Sequence, residues 1–476
     1  MVKTFSEKSE RILLFSLMIS IFLFLVYIIN GAKATYDSGD GLTHYFISRY
    51  SWKHPELLLH HWGKPFFTLA SSPFSQFGLV GMNVFQIVCG LATSFFCFQI
   101  AKKLELRFAW LLPIFICFTP IYFAVINSGL TEIFFACVLV FSIWMVFEKR
   151  FVVAAIAASL LPFVRVDAYV TVPLIAFIFC IRKQFAALPF LLTGFIIYSI
   201  IGSFYFSDSF WVIHQSQNFF DEGYPGMKGE LFHYPKMYKE IWGASLSLLL
   251  VGGLIYVMYN SYSVLVNKTN KGFLAEEIIL IYGSFFACLL IHTLSYCLPG
   301  VLNNLGMTRY MVTLIPCAAL IALRGLNILI SPVKKNLFLT TALVIIFSAF
   351  IFISPFKQSY YPFRLDDEQL VTKEAAGWMK SKNIANSKIY YSSVSFPLFY
   401  EIDPFDNKKA IVNINLDEPL PSSYFPQGSV MVWDTHYGSN EGRVTVEKLK
   451  NNKSLQLLQT FVGNNGKFEV RIYKVK

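Results

Sequence analysis

Apolar windows of roughly twenty residues, each long enough to cross the hydrocarbon core of a bilayer, recur from residue 12 to residue 354. They fall near 12–30, 79–101, 108–126, 130–147, 151–164, 168–181, 186–205, 244–265, 274–297, 309–327 and 337–354. The fifth and sixth are short and flank Pro162 and Arg165, the pattern of a broken pair. With 55% hydrophobic and 14% charged residues, the chain carries more apolar surface than one water-soluble core can absorb. The expected fold is therefore an α-helical polytopic membrane protein of about eleven transmembrane helices, over residues 1–355, followed by a small α/β soluble domain over 356–476.

The loops between windows alternate in charge. Lys3, Lys8 and Arg11, then Lys102, Lys103 and Arg107, Lys149 and Arg150, Arg182 and Lys183, Lys268 and Lys271, and finally Arg324, Lys334 and Lys335 occupy every second loop. An excess of Lys and Arg marks the cytoplasmic side. The N-terminus is then cytoplasmic, while loops 31–78, 127–130, 165–167, 206–243 and 298–308, together with the C-terminal domain, lie outside. The stretch Ile12–Ile29 is too long for a signal peptide and lacks a small-residue cleavage site, so it reads as an uncleaved first span.

The net charge of +11 is dispersed in these short clusters, where anionic headgroups meet them, rather than gathered in a basic groove with stacking aromatics. That excludes nucleic acid as a partner. All eight cysteines fall in apolar runs with no disulfide or metal-ligand spacing.

The first outer loop holds YDSGDGLTHYF, an amphipathic stretch, and HHWGKPFFTLASSPFSQFG. A carboxylate just beyond a span is well placed to work on a lipid headgroup. Together with NSGLTEIFF at 127–135, PFVRVDAY at 162–169 and GMTRYMVTLIP at 306–316, these segments resemble the C-type (GT-C) membrane glycosyltransferase superfamily, which includes protein O-mannosyltransferases and 4-amino-arabinose lipid A transferases. The resemblance covers most of the membrane region. It implies a sugar donor linked to polyprenyl phosphate and an acidic catalytic base in the first outer loop, whose place Asp40 matches. It also implies a Lys-Pro-Pro-Leu-like segment before the second span, matched by Lys64-Pro65-Phe66-Phe67 with Phe in place of the second Pro. The family often shows paired acidic residues, whereas Asp37 and Asp40 stand three apart, so either could be the base.

The chemistry so implied needs few groups. Phosphate is a good leaving group, so one carboxylate to take the acceptor proton and cations to neutralise the departing phosphate suffice, and direct displacement inverts the anomeric centre. Gly39 and Gly41 beside Asp40 permit close approach of a substrate; a helix-capping turn is the plainer reading of the same Asp-Ser-Gly-Asp-Gly. Lys64, Arg165 and Arg309 are cations at the outer boundary, suited to lipid phosphate and equally to snorkelling. Asp167 could pair with Arg165 and only tidy a turn, Tyr310 follows Arg309 at the head of a span, and Glu132 stands at a helix N-terminus, favourable on dipole grounds alone. His44, His54, His60 and His61 share the first loop with Asp37 and Asp40; their spacing fits no specific metal pattern, no cofactor is called for, and a divalent metal is left open. Asp221, Glu222 and His233 lie among aromatics of the loop 206–243, where rings stack on sugars or anchor the interface.

In the C-terminal domain an amphipathic helix is expected over 366–382, with Leu370, Val371, Ala375, Trp378 and Met379 on its apolar side, and strands in KIYYSSV, SVMVWD and FEVRIYKV. Asp434 and His436 follow a strand, yet no nucleophile or phosphate loop accompanies them, which points to positioning an acceptor or capping a site.

These expectations combine into a hexosyl- or pentosyltransferase of the cell envelope. It would act at the outer face of the cytoplasmic membrane on a glycolipid, polysaccharide or protein acceptor. A lipid or polysaccharide transporter (flippase) is the rival; it predicts internal repeats and charges near span centres, whereas here the charges gather toward one face.

Overall fold

Each apolar window coincides with helix in the computed structural model, which describes residues 7–214, 229–267, 275–298, 304–358, 361, 363–382, 384, 387–412, 425–442 and 444–476. Among the described residues, six helices stand out as long and apolar enough to cross a membrane: Glu7–Gly31, Gly78–Lys103, Phe185–Phe206, Glu277–Cys297, Thr308–Ile330 and Leu337–Lys357. Ala109–Cys117 and Pro120–Ile126 make a seventh span if taken together, bent by 69°. Pro120, which has no N–H to give to a preceding turn, starts the second half. Three windows form shorter apolar helices, Glu132–Phe147, Phe151–Phe163 and Ala168–Ile181, and the remaining one is helix Ala244–Asn267. The protein is thus a polytopic helical membrane protein with a small C-terminal sheet, and three of the eleven expected spans are shorter than a straight crossing.

The chain divides into two compact units, Met1–Gly31 with Leu58–Pro362, and Ala32–Leu57 with Phe363–Lys476. The segment between the first two spans therefore contributes residues to both.

In the helical unit, close approach of small residues replaces the hydrophobic drive that lipid cannot supply. Helices Ala244–Asn267 and Ile315–Ile330 meet through glycine: a Cβ on Gly325 would lie 1.9 Å from the Leu249 carbonyl oxygen, and one on Gly253 would lie 2.1 Å from that of Ile321. Two buried amide side chains tie one helix to a neighbouring turn. Asn83 Nδ2 donates to Asn127 Oδ1 at 2.8 Å, and Gln86 Nε2 donates to the Leu130 carbonyl at 2.5 Å, which ties helix Gly78–Lys103 to the turn at 127–130. At the other end of the same helix, cations of the basic loops meet carboxylates: Lys102 with Glu10 at 2.6 Å and Lys103 with Glu148 at 3.2 Å. Arg182 with Glu276 at 2.6 Å and Arg324 with Glu277 at 2.5 Å repeat the motif.

The second unit is built on a five-stranded sheet of order β2-β1-β3-β5-β4, with β1 Ile389–Tyr391, β2 Ala410–Val412, β3 Val430–Asp434, β4 Leu455–Val462 and β5 Glu469–Val475. β1 runs parallel to both β2 and β3, whereas β5 is antiparallel to β3 and β4. Alternation along β3 sends Val430 and Val432 into one core and Met431 and Trp433 into another, so both faces are covered. Helix Asp367–Ser381 buries Val371, Ala375, Ala376 and Met379 in the first core. A capping box starts this helix, with Asp366 accepting from Gln369 N at 2.7 Å. Leu370, expected on the apolar side, is 45% exposed, because its neighbour Val371 takes the inward position on the helix. The sequence 32–57 packs with this unit: the Lys33 amide donates to the Phe363 carbonyl at 3.0 Å, and helix Asp40–Tyr50 ends with the Tyr50 hydroxyl donating to the Ile402 carbonyl at 3.4 Å.

Two tests follow from this packing. Replacing Gly325 by Leu forces two backbones apart and should cost the helical unit about 1–3 kcal/mol, read as a lower unfolding temperature in detergent. Gly31→Ala, with nothing within 4 Å of the added carbon, should leave that temperature unchanged. In the sheet, burial pushes the Asp434 carboxyl above the usual carboxylate range despite hydrogen bonds from Ser392 and the Tyr437 amide. A raised folded-state value means that this group's contribution is complete below the unfolded value near about 4 and is lost as pH rises through the folded one. Asp434→Asn, which keeps an acceptor for Tyr437, should therefore stabilise the unit at pH 7 and flatten its pH dependence; an unfolding series from pH 4 to 8 measures this.

Candidate active site

The Asp-Ser-Gly-Asp-Gly turn gives its two carboxylates different work. Asp37 Oδ1 accepts the amides of Gly39 at 3.1 Å and Gly41 at 2.8 Å, shaping the turn that leads into helix Asp40–Tyr50. Asp40 is the first residue of that helix, where a carboxylate is favoured by the exposed amides and the dipole. One turn on, His44 is buried within the same helix.

The remaining candidates belong to the helical unit. Lys64 precedes helix Pro65–Ser75 with φ +60°, a left-handed backbone that an L side chain adopts at a cost of about 1–3 kcal/mol. Burial, with Lys64 and His60 as further causes, lowers His61 to about 4, and burial followed by Lys64 lowers His60 as well. Both imidazoles are neutral at physiological pH.

Arg165 lies at the heart of a buried polar cluster. Its guanidinium reaches Glu132 Oε1 at 2.8 Å through Nη1 and Asp167 Oδ2 at 2.8 Å through Nε, and Nη1 also donates to Thr131 Oγ1 at 3.4 Å. Glu132 and Asp167 are the first residue and the N-cap of helices Glu132–Phe147 and Ala168–Ile181, so Arg165 clamps two helix starts. The pair with Asp167 is thus one arm of a three-residue bridge rather than a turn closure alone. Asp167 Oδ1 in turn meets His292 Nε2 at 2.7 Å and the Thr313 hydroxyl at 3.3 Å. Asn304 Nδ2 lies 3.2 Å from His292 Nδ1 and can only donate there, which places the imidazole proton on Nε2, facing Asp167.

The Arg309–Tyr310 segment is packed onto this cluster. The Tyr310 ring stacks on His292 with centroids 5.2 Å apart and planes 8° from parallel, while the guanidiniums of Arg165 and Arg309 lie 5.8 and 5.7 Å from the same ring. Arg309 itself is buried. His233 Nε2 contacts the Gly306 carbonyl at 2.7 Å and Glu240 accepts from the Thr308 hydroxyl at 2.7 Å, so the loop 206–243 holds this segment from its C-terminal part. Asp221 and Glu222 lie outside the described residues.

The structure therefore brings Glu132, Arg165, Asp167, Arg309 and Tyr310 together in one unit, and places Asp37, Asp40 and His44 in the other. Sequence reading missed His292 and Asn304. The available signal was a lone imidazole inside an apolar span, where polar groups are expensive unless partnered. The first-loop histidines do not form a ligand set: His54 is 3.0 Å from Asp403, and His60 Nδ1 accepts the Gly63 amide at 3.3 Å. Among the described residues, no group of three or more His, Cys, Asp or Glu is arranged to hold a metal ion.

Helical windows, a first loop partly folded with a C-terminal α/β unit, and a buried charge cluster at the ends of several helices define a fold class. The chain has the fold of the GT-C glycosyltransferase superfamily. It is similar to ArnT from Cupriavidus metallidurans, both in its apo state and bound to undecaprenyl phosphate, with a TM-score of 0.63 and 10% sequence identity over 96% of this chain and 97% of that one. It is also similar to the arabinofuranosyltransferase AftD from Mycobacteria, with a TM-score of 0.53 and 10% identity, over 99% of this chain and 40% of that one. No family model matches the chain, and no curated protein sequence does.

The cluster makes a stability prediction. Asp167, whose side chain is fully buried, serves Arg165 and His292 at once. Asp167→Ala should leave a buried guanidinium half-balanced and cost about 3–5 kcal/mol. Asp167→Asn keeps the volume and one acceptor oxygen but loses the charge and turns an N–H toward Arg165 or His292, so it should cost only somewhat less. Thermal unfolding of the detergent-solubilised protein separates the two.

Proposed function

We propose that the protein is a membrane glycosyltransferase that takes a sugar from a polyprenyl-phosphate-linked donor. It passes the sugar with inversion to a glycolipid, polysaccharide or protein acceptor on the outer face of the cytoplasmic membrane. The observation that carries the reading is the likeness to ArnT, which extends over nearly the whole of both chains and includes a complex of that protein with undecaprenyl phosphate. In this reading the N-terminus is cytoplasmic and the C-terminal domain is extracytoplasmic, consistent with the alternation of basic loops.

Asp40 is the base. It removes the proton from the acceptor hydroxyl as that oxygen attacks the anomeric carbon, and the bond from that carbon to the phosphate oxygen breaks, releasing the polyprenyl phosphate. Asp37, occupied by two backbone amides, shapes the turn that presents Asp40. Lys64 and Arg309 neutralise the leaving phosphate. Arg165, already balanced by Glu132 and Asp167, orders the Arg309–Tyr310 segment and through it the sugar site. Strain at Lys64 supports a functional placement of its side chain.

The test is transfer of radiolabelled sugar from polyprenyl-phosphate donors to membrane lipids and proteins by the purified protein in liposomes. Asp40→Asn should lower the turnover number by about 10²–10⁴-fold, and Asp37→Asn, which keeps the accepting oxygen, by about tenfold or less. Retention of transfer by Asp40→Asn would move the base elsewhere. Lipid movement without transfer from any donor would favour a transporter.

A further inference from the structure

The parallel strands β1 and β3 are neighbours, yet the chain reaches β3 only after passing through β2 on the far side of β1. In open α/β sheets such a reversal of strand order opens a crevice at the carboxyl ends of the two strands, and that is where ligands bind. Here the crevice residues are Ser392 after β1 and Asp434 to Tyr437 after β3. Ser392 donates its hydroxyl to the buried Asp434 carboxylate, whose other oxygen accepts the Tyr437 amide at 2.7 Å. The Tyr437 ring stacks on His436 at 4.4 Å, and His436 Nδ1 is 3.0 Å from Glu368 Oε2. What lies against this turn is the chain's own first outer loop: a Cβ on Gly39 would sit 3.4 Å from the Tyr437 hydroxyl.

A second contact fixes the far end of the same helix. Asp403, nearly buried, meets Lys53 Nζ at 2.6 Å and His54 Nε2 at 3.0 Å, and its other oxygen accepts the Phe405 amide at 3.0 Å. The Phe405 ring packs on Tyr50 and His54 with centroids 6.3 and 6.2 Å away. Lys53 also lies 3.9 Å from Asp406, and His54 Nδ1 lies 3.7 Å from Glu56. An exposed ion pair contributes little alone, but Asp403 collects a cation, an imidazole and an amide in a mostly buried position, so its loss releases several contacts together.

We propose that the C-terminal domain is a positioning module for the catalytic loop: the Asp434–Tyr437 turn seats Gly39, between the two aspartates, and Asp403 clasps Lys53 and His54 beyond helix Asp40–Tyr50. The ligand crevice of the sheet is thereby used to hold the segment that carries the base. This rests on the assignment of Asp40 made above. Tyr437 and Asp403 touch no reacting atom and act through the geometry of Asp40.

The experiment compares Asp403→Lys, Tyr437→Ala and the charge-exchanged double variant Lys53→Glu with Asp403→Lys, all in the full-length protein in liposomes. Misplacing a base by about 1 Å costs on the order of a hundredfold in rate. Each single variant should thus lower the turnover number about ten- to hundredfold with the donor KM within about twofold. The exchanged pair should recover most of the loss relative to Asp403→Lys. In parallel, amide hydrogen exchange over residues 37–50 should speed up in the single variants and slow again in the exchanged pair, with β3 and β5 unaffected. Turnover within twofold of wild type in both single variants would overturn the proposal, as would faster exchange spread uniformly over the sheet, which reports unfolding. Failure of wild type to transfer sugar would refute the enzyme assignment instead, and full activity of Asp40→Asn would refute the assignment of Asp40 as the base. The exchange data would still decide whether the loop is docked as described.

Discussion

A guanidinium cannot be buried among apolar helices unless carboxylates accompany it, and Arg165 meets that constraint by recruiting the N-terminal ends of two helices. Glu132 and Asp167 come from separate turns, and both are placed where a helix start already favours negative charge. The same carboxylate that balances Arg165 fixes the imidazole of His292, and the ring of Tyr310 lies flat on that imidazole. Four parts of the chain are held in one arrangement by a single buried charge. The short helices around residues 132–181 make sense in this light. A helix that ended later would carry Glu132 or Asp167 out of reach of Arg165, so the breaks that shorten these spans are what allow the cluster to form.

At the opposite end of the bundle, cations and carboxylates also pair, but in a different manner. Lys102, Lys103, Arg182 and Arg324 each take one glutamate from a neighbouring helix end. These pairs join helices two at a time, the ordinary use of charge at an interface, and Arg324–Glu277 is nearly as buried as the Arg165 cluster. The cluster around Arg165 is multiply connected, and that difference in connectivity separates a candidate site from a scaffold.

Much of this architecture is legible in the sequence because lipid imposes a simple rule. A span must be apolar for about twenty residues, so all eleven windows could be located, even where the helix proved short. The carboxylates and cations at 132, 165, 167 and 309 were visible as charged residues beside apolar runs. Their mutual contacts were not, since Asp167 meets His292 across 125 positions. The sheet was readable only where strands are largely buried: β1 and β3 stand out as apolar runs and β5 by its alternation, whereas β2 has three residues and β4 is an edge strand with a single buried side chain. Asp403 sits in an unremarkable Glu-Ile-Asp-Pro-Phe-Asp stretch, and nothing local announces a partner at Lys53, 350 positions away.

Fold alone does not fix chemistry, but the distribution of carboxylates narrows it. Hydrolytic glycosidases need a pair of carboxyl groups about the scissile bond, one of them a proton donor. In the helical unit the carboxylates near the buried cluster are committed: Glu132 and Asp167 to Arg165, and Glu240 to the Thr308 hydroxyl. Those at the other end are committed to Lys102, Lys103, Arg182 and Arg324. In the first loop, Asp37 is engaged by two amides. The transfer proposed above asks for less: a phosphate that would leave as an anion needs no proton donor, so one base and a set of cations would serve.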